Sequence, residues 1–488
     1  MASQALERAR SFEAGSRIHL NERPAFHLSP RIGWMNDPNG FSYYKGLYHL
    51  FYQYHPYDSH WGPMHWGHAV SADLLRWTAL PCAMAPDAPF DQEGCFSGSA
   101  AALPDGRQLL MYTGVAEGGV QTQCLAVGDG TEYDKYPENP VLDASSLPEG
   151  ASRIDFRDPH IWREADGSFR AIVGNLTGSG ASERAKFFLF SSGDGFRWSF
   201  ENVFVENTFG LGRMWECPDY FELDGRKVIL ASATDMQPED PSAPAENGNF
   251  ALLGRIDPES GIFLTESVQV LETGLDFYAA QTVEAPDGRR ILIAWMQNWG
   301  SLPPMPDRSA FFGQMSLPRE LFLRDGRLCQ MPVRELLAFR RDEVRREGIV
   351  LEDAEIRFAG IEGRLLDLEL TLDVSGSRDL KQFTLAFARN EHFRTILRYD
   401  PAESLLTLDR SGSGVSPEIQ NKCSARVSVP DGKLCLRVIL DRFSAEIFAN
   451  EGELALAMTF YTDLSADRVT FAAEGRAVFD IKKYRLDV

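Results

Sequence analysis

Three carboxylic acids stand in short segments whose other residues are turn formers or aromatics. Asp37 lies in a Trp-Met-Asn-Asp-Pro-Asn-Gly segment, Asp158 precedes a proline, and Glu216 lies in a Trp-Glu-Cys-Pro-Asp segment. Two carboxyl groups facing one pocket are the minimum equipment for glycoside hydrolysis, because one protonates the leaving oxygen while the other attacks the sugar carbon or activates water. For Asp37 an ordinary Asx-type turn is the alternative interpretation.

Aromatic side chains lie in or beside the same segments, and they are typical of carbohydrate sites because the C–H faces of sugars pack on aromatic rings. For each of them, core packing is the alternative. These residues are Trp34, Trp61, Trp66, Phe96, Trp215 and Trp295.

The neighbours of two acids predict different tasks. Arg157 precedes Asp158, and a nearby cation is expected to keep that carboxyl ionised. Glu216 stands between Trp215 and Cys217, an apolar setting that suits a general acid.

A repeat of about 60 residues predicts how such distant acids could meet. Hairpin turns end in five glycines spaced by 60, 61, 58 and 63 residues, and a short apolar strand follows each turn. A distinctive segment stands nine to eleven residues before each turn, and three of these segments carry the acids. The five glycines are Gly46, Gly106, Gly167, Gly225 and Gly288.

The period fits a four-stranded blade, and five copies closing in a ring predict an all-β, five-bladed β-propeller. The first strand of each blade lines the axis, so equivalent positions on successive blades face one mouth of the channel. One or two large β-sandwiches with coincidental turns are the alternative architecture.

The remaining segments complete the predicted domain order. Residues 1–23 form a helical lead-in, with one short helix over 2–17, and the propeller occupies 24–331. Residues 332–347 read as a helical linker with Val333, Leu336, Leu337 and Phe339 on one side. Residues 348–488 alternate polar and apolar positions, which predicts a β-sandwich.

Composition narrows the partners and the compartment. The 488 residues carry 49 Lys and Arg against 70 Asp and Glu, a net charge of −21, which disfavours nucleic acid and anionic membranes as partners. Seven dispersed cysteines favour a reducing compartment. No signal peptide or membrane span is recognisable, and a cytoplasmic location is expected.

A cluster of four histidines is a candidate metal site. His65 and His68 stand three apart in a strand-like stretch, which directs their side chains to opposite faces, so no metal is predicted. No nucleotide-binding loop or nucleophile elbow is present either. The cluster comprises His55, His60, His65 and His68.

Five blocks in this order resemble the signature segments of glycoside hydrolase family 32, the invertases, sucrose-6-phosphate hydrolases and fructan hydrolases. The resemblance runs from about Pro24 to the C-terminus and includes 441–448, where Phe443 replaces a serine usual in the family. The blocks are Trp34–Gly40, Phe96–Ser99, Phe156–Pro159, Trp215–Asp219 and Asp276–Gln281.

The resemblance implies a five-bladed propeller with a β-sandwich, no metal or organic cofactor, and a role for each acid. Asp37 resembles the nucleophile, Glu216 the general acid/base, and Asp158 the residue that holds fructosyl hydroxyls. Positions matching the fructose subsite are Asn36, Gln53, Trp61, Phe96, Ser97, Arg157, Tyr278 and Trp295.

The sequence thus predicts a retaining β-fructofuranosidase acting on sucrose and short fructo-oligosaccharides. Sucrose-6-phosphate hydrolysis and fructosyl transfer use the same site and stay open, as do the chain length of the substrate and the oligomeric state. A sugar-binding propeller without catalysis is the rival from another class, and it would not need three acids.

Overall fold

The fold is an all-β propeller followed by a C-terminal sheet domain, which confirms the predicted fold class. The computed structural model describes residues 3–18, 23–236, 246–302 and 310–488. Each blade is antiparallel, and its strands run outward from the axis in chain order.

Blade 1 contains β1 (Gly33–Tyr44), β2 (Leu47–His55), β3 (His65–Ser71) and β4 (Trp77–Met84). Blade 2 contains β5 (Gly94–Ala102), β6 (Gln108–Val115), β7 (Gln121–Gly128) and β8 (Tyr133–Lys135). Blade 3 contains β9 (Ala151–Arg163), β10 (Phe169–Thr177), β11 (Arg184–Ser192) and β12 (Ser199–Glu206). Blade 4 contains β13 (Trp215–Leu223), β14 (Arg226–Met236), β15 (Glu246–Ile256) and β16 (Phe263–Glu272).

Blade 5 and blade 1 close the ring. The last segment of the propeller contains β17 (Tyr278–Glu284), β18 (Arg290–Trp295), β19 (Phe311–Phe312), β20 (Arg319–Arg324) and β21 (Arg327–Pro332). Strand β19 does not join blade 5 but pairs in parallel with β1, so Phe312 lies opposite Trp34. The end of the propeller sequence is thereby fixed to its beginning.

The predicted hairpin turns explain the regularity of the blades. All five turn glycines have φ between 79° and 91°, a region that a residue with a Cβ rarely adopts. Each turn joins the innermost strand of a blade to the second one. The glycine spacing therefore sets the blade period.

The core is divided among the gaps between neighbouring blades. Leu109 of blade 2 packs with Phe156 and Phe188 of blade 3, and Leu230 of blade 4 packs with Leu292 of blade 5. Because every blade buries both faces, each depends on its neighbours for its apolar contacts.

The N-terminal helix covers one end of blade 1. Helix α1 spans Gln4–Gly15, within the predicted 2–17, and begins at Ser3, whose Oγ accepts a hydrogen bond from the Leu6 backbone N–H at 3.2 Å. Leu6 and Ala9 are buried against the blade. The other short helices within the described residues are of 3-10 type, at Glu117–Gly119, Ala144–Ser146, Gly180–Ser182, Arg334–Phe339 and Pro430–Gly432.

The predicted helical linker over 332–347 is wrong in most of its length. A 3-10 helix covers only Arg334–Phe339, and Leu337 is 49% exposed rather than on the buried side. From Arg340 the chain is a strand, because it pairs with the last strand of the protein. Tertiary pairing thus overrides the local helical pattern.

The C-terminal domain is built around two long strands. The last strand, Arg468–Leu486, pairs with Gln382–Arg389 through its first half and with Leu366–Asp373 through its second half, and Arg340–Ile356 accompanies both halves. The two arms of the sheet share one apolar core. The strands are β22 (Arg340–Ile356), β23 (Leu366–Asp373), β24 (Gln382–Arg389), β25 (Thr395–Asp400), β26 (Leu405–Asp409), β27 (Lys422–Arg426), β28 (Lys433–Asp441), β29 (Ser444–Ala449), β30 (Leu454–Thr459) and β31 (Arg468–Leu486).

A buried ionic network joins the two domains. His27 of the propeller segment contacts Asp441 through Nδ1 at 2.8 Å and Glu446 through Nε2 at 2.9 Å. Glu446 also pairs with Arg319 at 2.5 Å, and Arg319 pairs with Glu272 at 2.6 Å. These side chains are at most 1% exposed.

Within the described ranges, no helix has both the length and the apolar character needed to cross a membrane.

The charge on His27 makes this network dependent on pH. Burial lowers the pKa of His27, but hydrogen bonds and charges from Asp441 and Glu446 outweigh it and raise the pKa to about 9, from 6.5. A raised folded-state pKa stabilises the fold fully below about pH 6.5, and this contribution is lost as the pH rises through about 9. We expect the free energy of unfolding, measured by urea titration, to fall over that window.

The variant His27→Gln should lack this fall and should be less stable at pH 6.5 by roughly 3–5 kcal/mol, since it leaves buried carboxylates without their partner. His60→Gln is the control, because His60 also pairs with an aspartate but its side chain is 86% exposed. An unchanged pH profile in His27→Gln would contradict the assignment.

Candidate active site

The innermost strands of all five blades are irregular at the same level. The register of each strand with its neighbour shifts around Asp37, Ser97, Asp158, Cys217 and Ala279, respectively. Such bulges redirect side chains and are common beside active sites. Here they turn one position of every blade toward the axis.

Three of these positions have a strained backbone. Asp158, Cys217 and Ala279 have φ of 64°, 48° and 56°. Left-handed conformations are costly for residues other than glycine and persist where the surrounding structure enforces them. Among the five bulges, the strained ones therefore belong to the blades that supply Asp158, Glu216 and Tyr278.

Residues at or next to these bulges line one cavity of about 370 Å³. It brings together the three predicted acids and seven of the eight predicted subsite residues. Its walls are Asn36, Asp37, Gln53, Trp61, Phe96, Ser97, Gln121, Arg157, Asp158, Glu216, Tyr278 and Trp299.

The predicted subsite residue Trp295 is not part of the cavity. It is fully buried and lies opposite Tyr278 in the β17–β18 pair. Trp299, four residues later and beyond the end of the strand, lines the cavity instead and is 38% exposed. It stacks on Trp34 with 5.9 Å between ring centroids.

Gln121 is a second lining residue that the sequence reasoning missed. Its Oε1 accepts hydrogen bonds from the Phe156 N–H at 2.8 Å and from Arg157 Nη1 at 3.2 Å. Gln121 lies outside the five signature blocks, at the start of β7. From the sequence, Gln121 could have been identified only by asking which strand of the neighbouring blade lies beside Arg157.

Asp37 is held by donors on both oxygens. Ser97 Oγ donates to Oδ2 at 2.7 Å, and Asn36 Nδ2 donates to Oδ1 at 3.1 Å. Trp34 Nε1 in turn donates to Asn36 at 2.8 Å. Asp37 is thus a positioned carboxyl rather than the cap of an Asx turn.

Glu216 is bound by neighbours from the two adjacent blades. Arg157 Nε donates to Oε1 at 3.0 Å, and the Tyr278 hydroxyl donates to Oε2 at 2.6 Å. The expectation that Arg157 would keep Asp158 ionised is wrong, because burial raises the pKa of Asp158 and the Arg157 guanidinium is hydrogen-bonded to Glu216 instead. At a bulge, residues that are adjacent in the sequence contact different partners. The adjacency of Arg157 and Asp158 therefore did not predict which acid Arg157 binds.

Cys217 lies between the other two acids. Its backbone N–H donates to Asp158 Oδ2 at 3.0 Å, and its thiol is 3.6 Å from the same oxygen and 3.4 Å from Asp37 Oδ2. Burial, followed by the charge of Asp158, raises the pKa of this thiol well above its ordinary value. Cys217 is therefore a neutral weak donor between two carboxyls.

Burial also raises the pKa of both aspartates. For Asp37 it outweighs the hydrogen bonds from Ser97 and Asn36. For Asp158, burial and the charge of Glu216 raise the pKa to about 7, although Arg157 opposes the change. The cavity thus retains a proton near neutral pH.

Asp219, the acid three residues after Glu216, lies elsewhere. It is 1% exposed and accepts hydrogen bonds at 2.7 Å from both the backbone N–H and the hydroxyl of Thr282. It fixes β13 to β17 and does not line the cavity.

Two of the four histidines of the cluster, His65 and His68, are buried in blade 1. His68 stacks on Phe51 at 4.1 Å and contacts His49, whereas His65 contacts the Pro63 carbonyl. Among the residues with described positions, no group of three or more His, Cys, Asp or Glu side chains is arranged to hold a metal ion.

Comparison with known proteins gives this geometry a family context. The model of the glycosyl hydrolases family 32 N-terminal domain matches residues 27–332. The model of the family 32 C-terminal domain matches residues 335–486.

Individual relatives agree over nearly the whole chain. A raffinose invertase of Escherichia coli is 37% identical and covers 93% of each chain. A sucrose-6-phosphate hydrolase of Zymomonas mobilis is 36% identical over 96% of this chain and 93% of its own. A solved Bombyx mori β-fructofuranosidase mutant in complex with sucrose is 32% identical, with a TM-score of 0.83 over 100% of this chain and 99% of its own.

The raised pKa of Asp158 predicts a conflict between stability and function. Ionising this carboxyl costs more in the folded than in the unfolded chain, so the penalty is absent below about pH 4 and complete above about pH 7. We expect Asp158→Asn to raise the free energy of unfolding at pH 8 by on the order of 1–4 kcal/mol, and by much less at pH 4.5. Urea titrations at the two pH values measure the difference.

Asn also tolerates the left-handed conformation of residue 158, so the substitution adds little backbone strain. Asp155→Asn on the same strand is the control, because Asp155 is partly exposed and lies on the outer side of Arg157. Equal effects of Asp158→Asn at both pH values would show that its burial has no electrostatic cost.

Proposed function

Since the chain belongs to glycosyl hydrolase family 32, we propose that it is a retaining β-fructofuranosidase that releases terminal fructosyl units from sucrose and short fructo-oligosaccharides. One observation carries the proposal: Asp37, Asp158 and Glu216 come from three blades and meet in one small cavity with aromatic walls. The enzymes named above as invertase and β-fructofuranosidase support the substrate class.

In this proposal Asp37 is the nucleophile. Its carboxylate attacks the anomeric carbon of the fructosyl unit, and the bond from that carbon to the leaving oxygen breaks. Ser97 and Asn36 hold the two carboxylate oxygens in place, which fixes the direction of attack. The product of this step is a covalent fructosyl-enzyme.

Glu216 is the general acid and base. It gives its proton to the leaving oxygen in the first step and takes a proton from the attacking water in the second. Arg157 and Tyr278 bind its two oxygens, so the carboxylate left after proton transfer is stabilised. The second step releases fructose and restores Asp37.

Asp158 binds the sugar rather than reacting with it. Its Oδ2 is occupied by the Cys217 N–H, and we propose that Oδ1 accepts from hydroxyls of the fructosyl ring. A carboxylate that strengthens such hydrogen bonds as positive charge develops on the ring lowers the barrier. Trp61, Phe96 and Trp299 pack around the ring.

The cavity favours a small, uncharged sugar. Its volume of about 370 Å³ is at the lower end of the range for small-molecule sites. Among the described residues that line it, Arg157 is the one cation, and it is bound to Glu216, Gln121 and Asp155. We therefore favour sucrose over sucrose 6-phosphate as substrate.

The location and the transfer reaction stay predictions. The seven cysteine thiols are free, and Cys217 lies in the active site, which suits the reducing conditions of the cytoplasm. Fructosyl transfer requires only that a sugar hydroxyl replaces water in the second step.

A retaining mechanism predicts that fructose is first released as the β anomer. NMR of the product formed in the first seconds of sucrose hydrolysis measures this. Asp37→Asn should abolish turnover of every substrate, since no leaving group replaces a missing nucleophile. Glu216→Gln should spare the first step only for substrates with an activated leaving group, and azide should rescue its second step.

Two outcomes would contradict these roles. An initial α product would mean inversion through a water molecule. Full sucrose activity in Glu216→Gln would show that Glu216 is not the acid. Ser191→Ala, on the outward strand β11, is a control for handling and purification, because Ser191 lies away from the cavity.

Substrate preference is tested by comparing kcat/KM for sucrose, sucrose 6-phosphate, a kestose-type trisaccharide and inulin. We expect sucrose and the trisaccharide to exceed the other two by about tenfold or more, about 1.4 kcal/mol in the transition state. Purified Asp37→Asn measures contaminating activity. Faster hydrolysis of sucrose 6-phosphate would favour the alternative named by the Zymomonas relative.

A further inference from the structure

The C-terminal domain reaches the active-site wall through one buried arginine. Arg410 is fully buried at the end of β26, and Nη1 pairs with Asp276 at 2.5 Å. Its Nη2 donates to the backbone carbonyl of Ser301 at 2.7 Å. Asp276 lies two residues before β17, and Ser301 belongs to the segment that contains Trp299.

Other contacts tie the same segment to the C-terminal domain and to itself. Ser301 Oγ donates to Asp276 Oδ1 at 2.9 Å, and the Thr459 N–H donates to Asp276 Oδ2 at 2.7 Å. Gln297 Nε2 donates to the Tyr461 hydroxyl at 3.0 Å. Residues 297–302, here called the Trp299 segment, are therefore anchored at both ends by the second domain.

Trp299 itself depends on this anchoring. Its ring packs on Trp34 and Trp295 on one side and faces the cavity on the other. Trp34 in turn orients Asn36, which binds Asp37. A displaced Trp299 segment would change both the wall of the sugar site and the support of Asp37.

We infer that Arg410 is a positioning residue of the active site, and that the C-terminal domain contributes to catalysis through it. This inference rests on the proposed hydrolysis of sucrose for its kinetic readout. In this inference, Arg410 itself does not contact the substrate. A planar guanidinium that binds a carboxylate and a carbonyl at once fixes their spacing, and here that spacing holds the Trp299 segment against the cavity.

Kinetics of Arg410→Ala test the inference. We expect kcat/KM for sucrose to fall by about 10- to 100-fold, the order that a displacement of about 1 Å in a positioned site causes. Arg410→Lys keeps the positive charge toward Asp276 but lacks the planar group, so a smaller fall is expected. Arg410→Lys also provides the kinetic test if Arg410→Ala does not fold.

Arg437→Ala is the matched control. Arg437 lies in the same domain and also pairs with a buried aspartate, Asp367, at 2.7 Å. Its contacts lie within the C-terminal domain. We expect kcat/KM within about twofold of the parent protein. Equal losses in Arg410→Ala and Arg437→Ala would show a merely structural role and overturn the inference.

A double-mutant cycle separates positioning from general damage. If Arg410 acts through Trp299, then Arg410→Ala should lower kcat/KM by no more than about twofold when Trp299 is already alanine. A full, additive loss in the Trp299→Ala background would overturn the inference.

Hydrogen exchange without substrate gives a readout that is independent of activity. The peptide that covers 297–302 should exchange its amide hydrogens at least about tenfold faster in Arg410→Ala than in the parent protein. In Arg437→Ala its exchange rate should be unchanged. An unchanged rate in Arg410→Ala would overturn the inference. A parent protein that does not hydrolyse sucrose would refute the proposed function, and the exchange experiment would still decide on Arg410.

Discussion

Three carboxyl groups that repel one another are held in one buried cavity, and the rest of the structure is arranged around that cost. Removing a carboxylate from water is expensive unless donors replace the lost hydration. Here the donors come from neighbouring blades: Ser97 of blade 2 binds Asp37, the Cys217 N–H of blade 4 binds Asp158, and Arg157 of blade 3 binds Glu216. No blade completes its own acid, so the site forms only when the ring is closed.

The frame around this site is correspondingly rigid. The acids stand at or beside bulges. Of the three bulges with a positive φ, one contains Asp158 itself and another contains Cys217, which follows Glu216. Such strain persists only where packing enforces it. Apolar cores between the blades and the buried His27–Asp441 contact between the domains supply that packing. The packing of the frame thus stabilises the fold, whereas the buried carboxyl groups of the cavity destabilise it.

The repeat made the fold and the acids predictable, since equal positions on equal blades must face one axis. What failed depended on contacts between blades or at strand ends. Trp295 and Trp299 are four residues apart, and only the end of β18 decides that the first is core and the second faces the cavity. Arg157 follows the same logic, because its partner Glu216 belongs to the next blade. From Arg340 to Arg346, the predicted helix gives way to pairing with residues Ile481 to Leu486 of β31, which lie far away in the sequence.

The partners of Glu216 also determine which of its oxygens can carry a transferable proton. Arg157 has only donors and occupies Oε1, so a proton there would face another proton. Oε2 faces the Tyr278 hydroxyl, which can donate or accept. Burial, and next the charge of Glu216, raise the pKa of Tyr278 well above its ordinary value, so it remains a hydroxyl. In the proposed mechanism, the proton that Glu216 gives to the leaving oxygen is therefore carried on Oε2, where the Tyr278 hydroxyl can turn to accept its hydrogen bond. The proposed mechanism then requires the leaving oxygen of the sugar to approach Glu216 from the side of Tyr278 rather than from the side of Arg157.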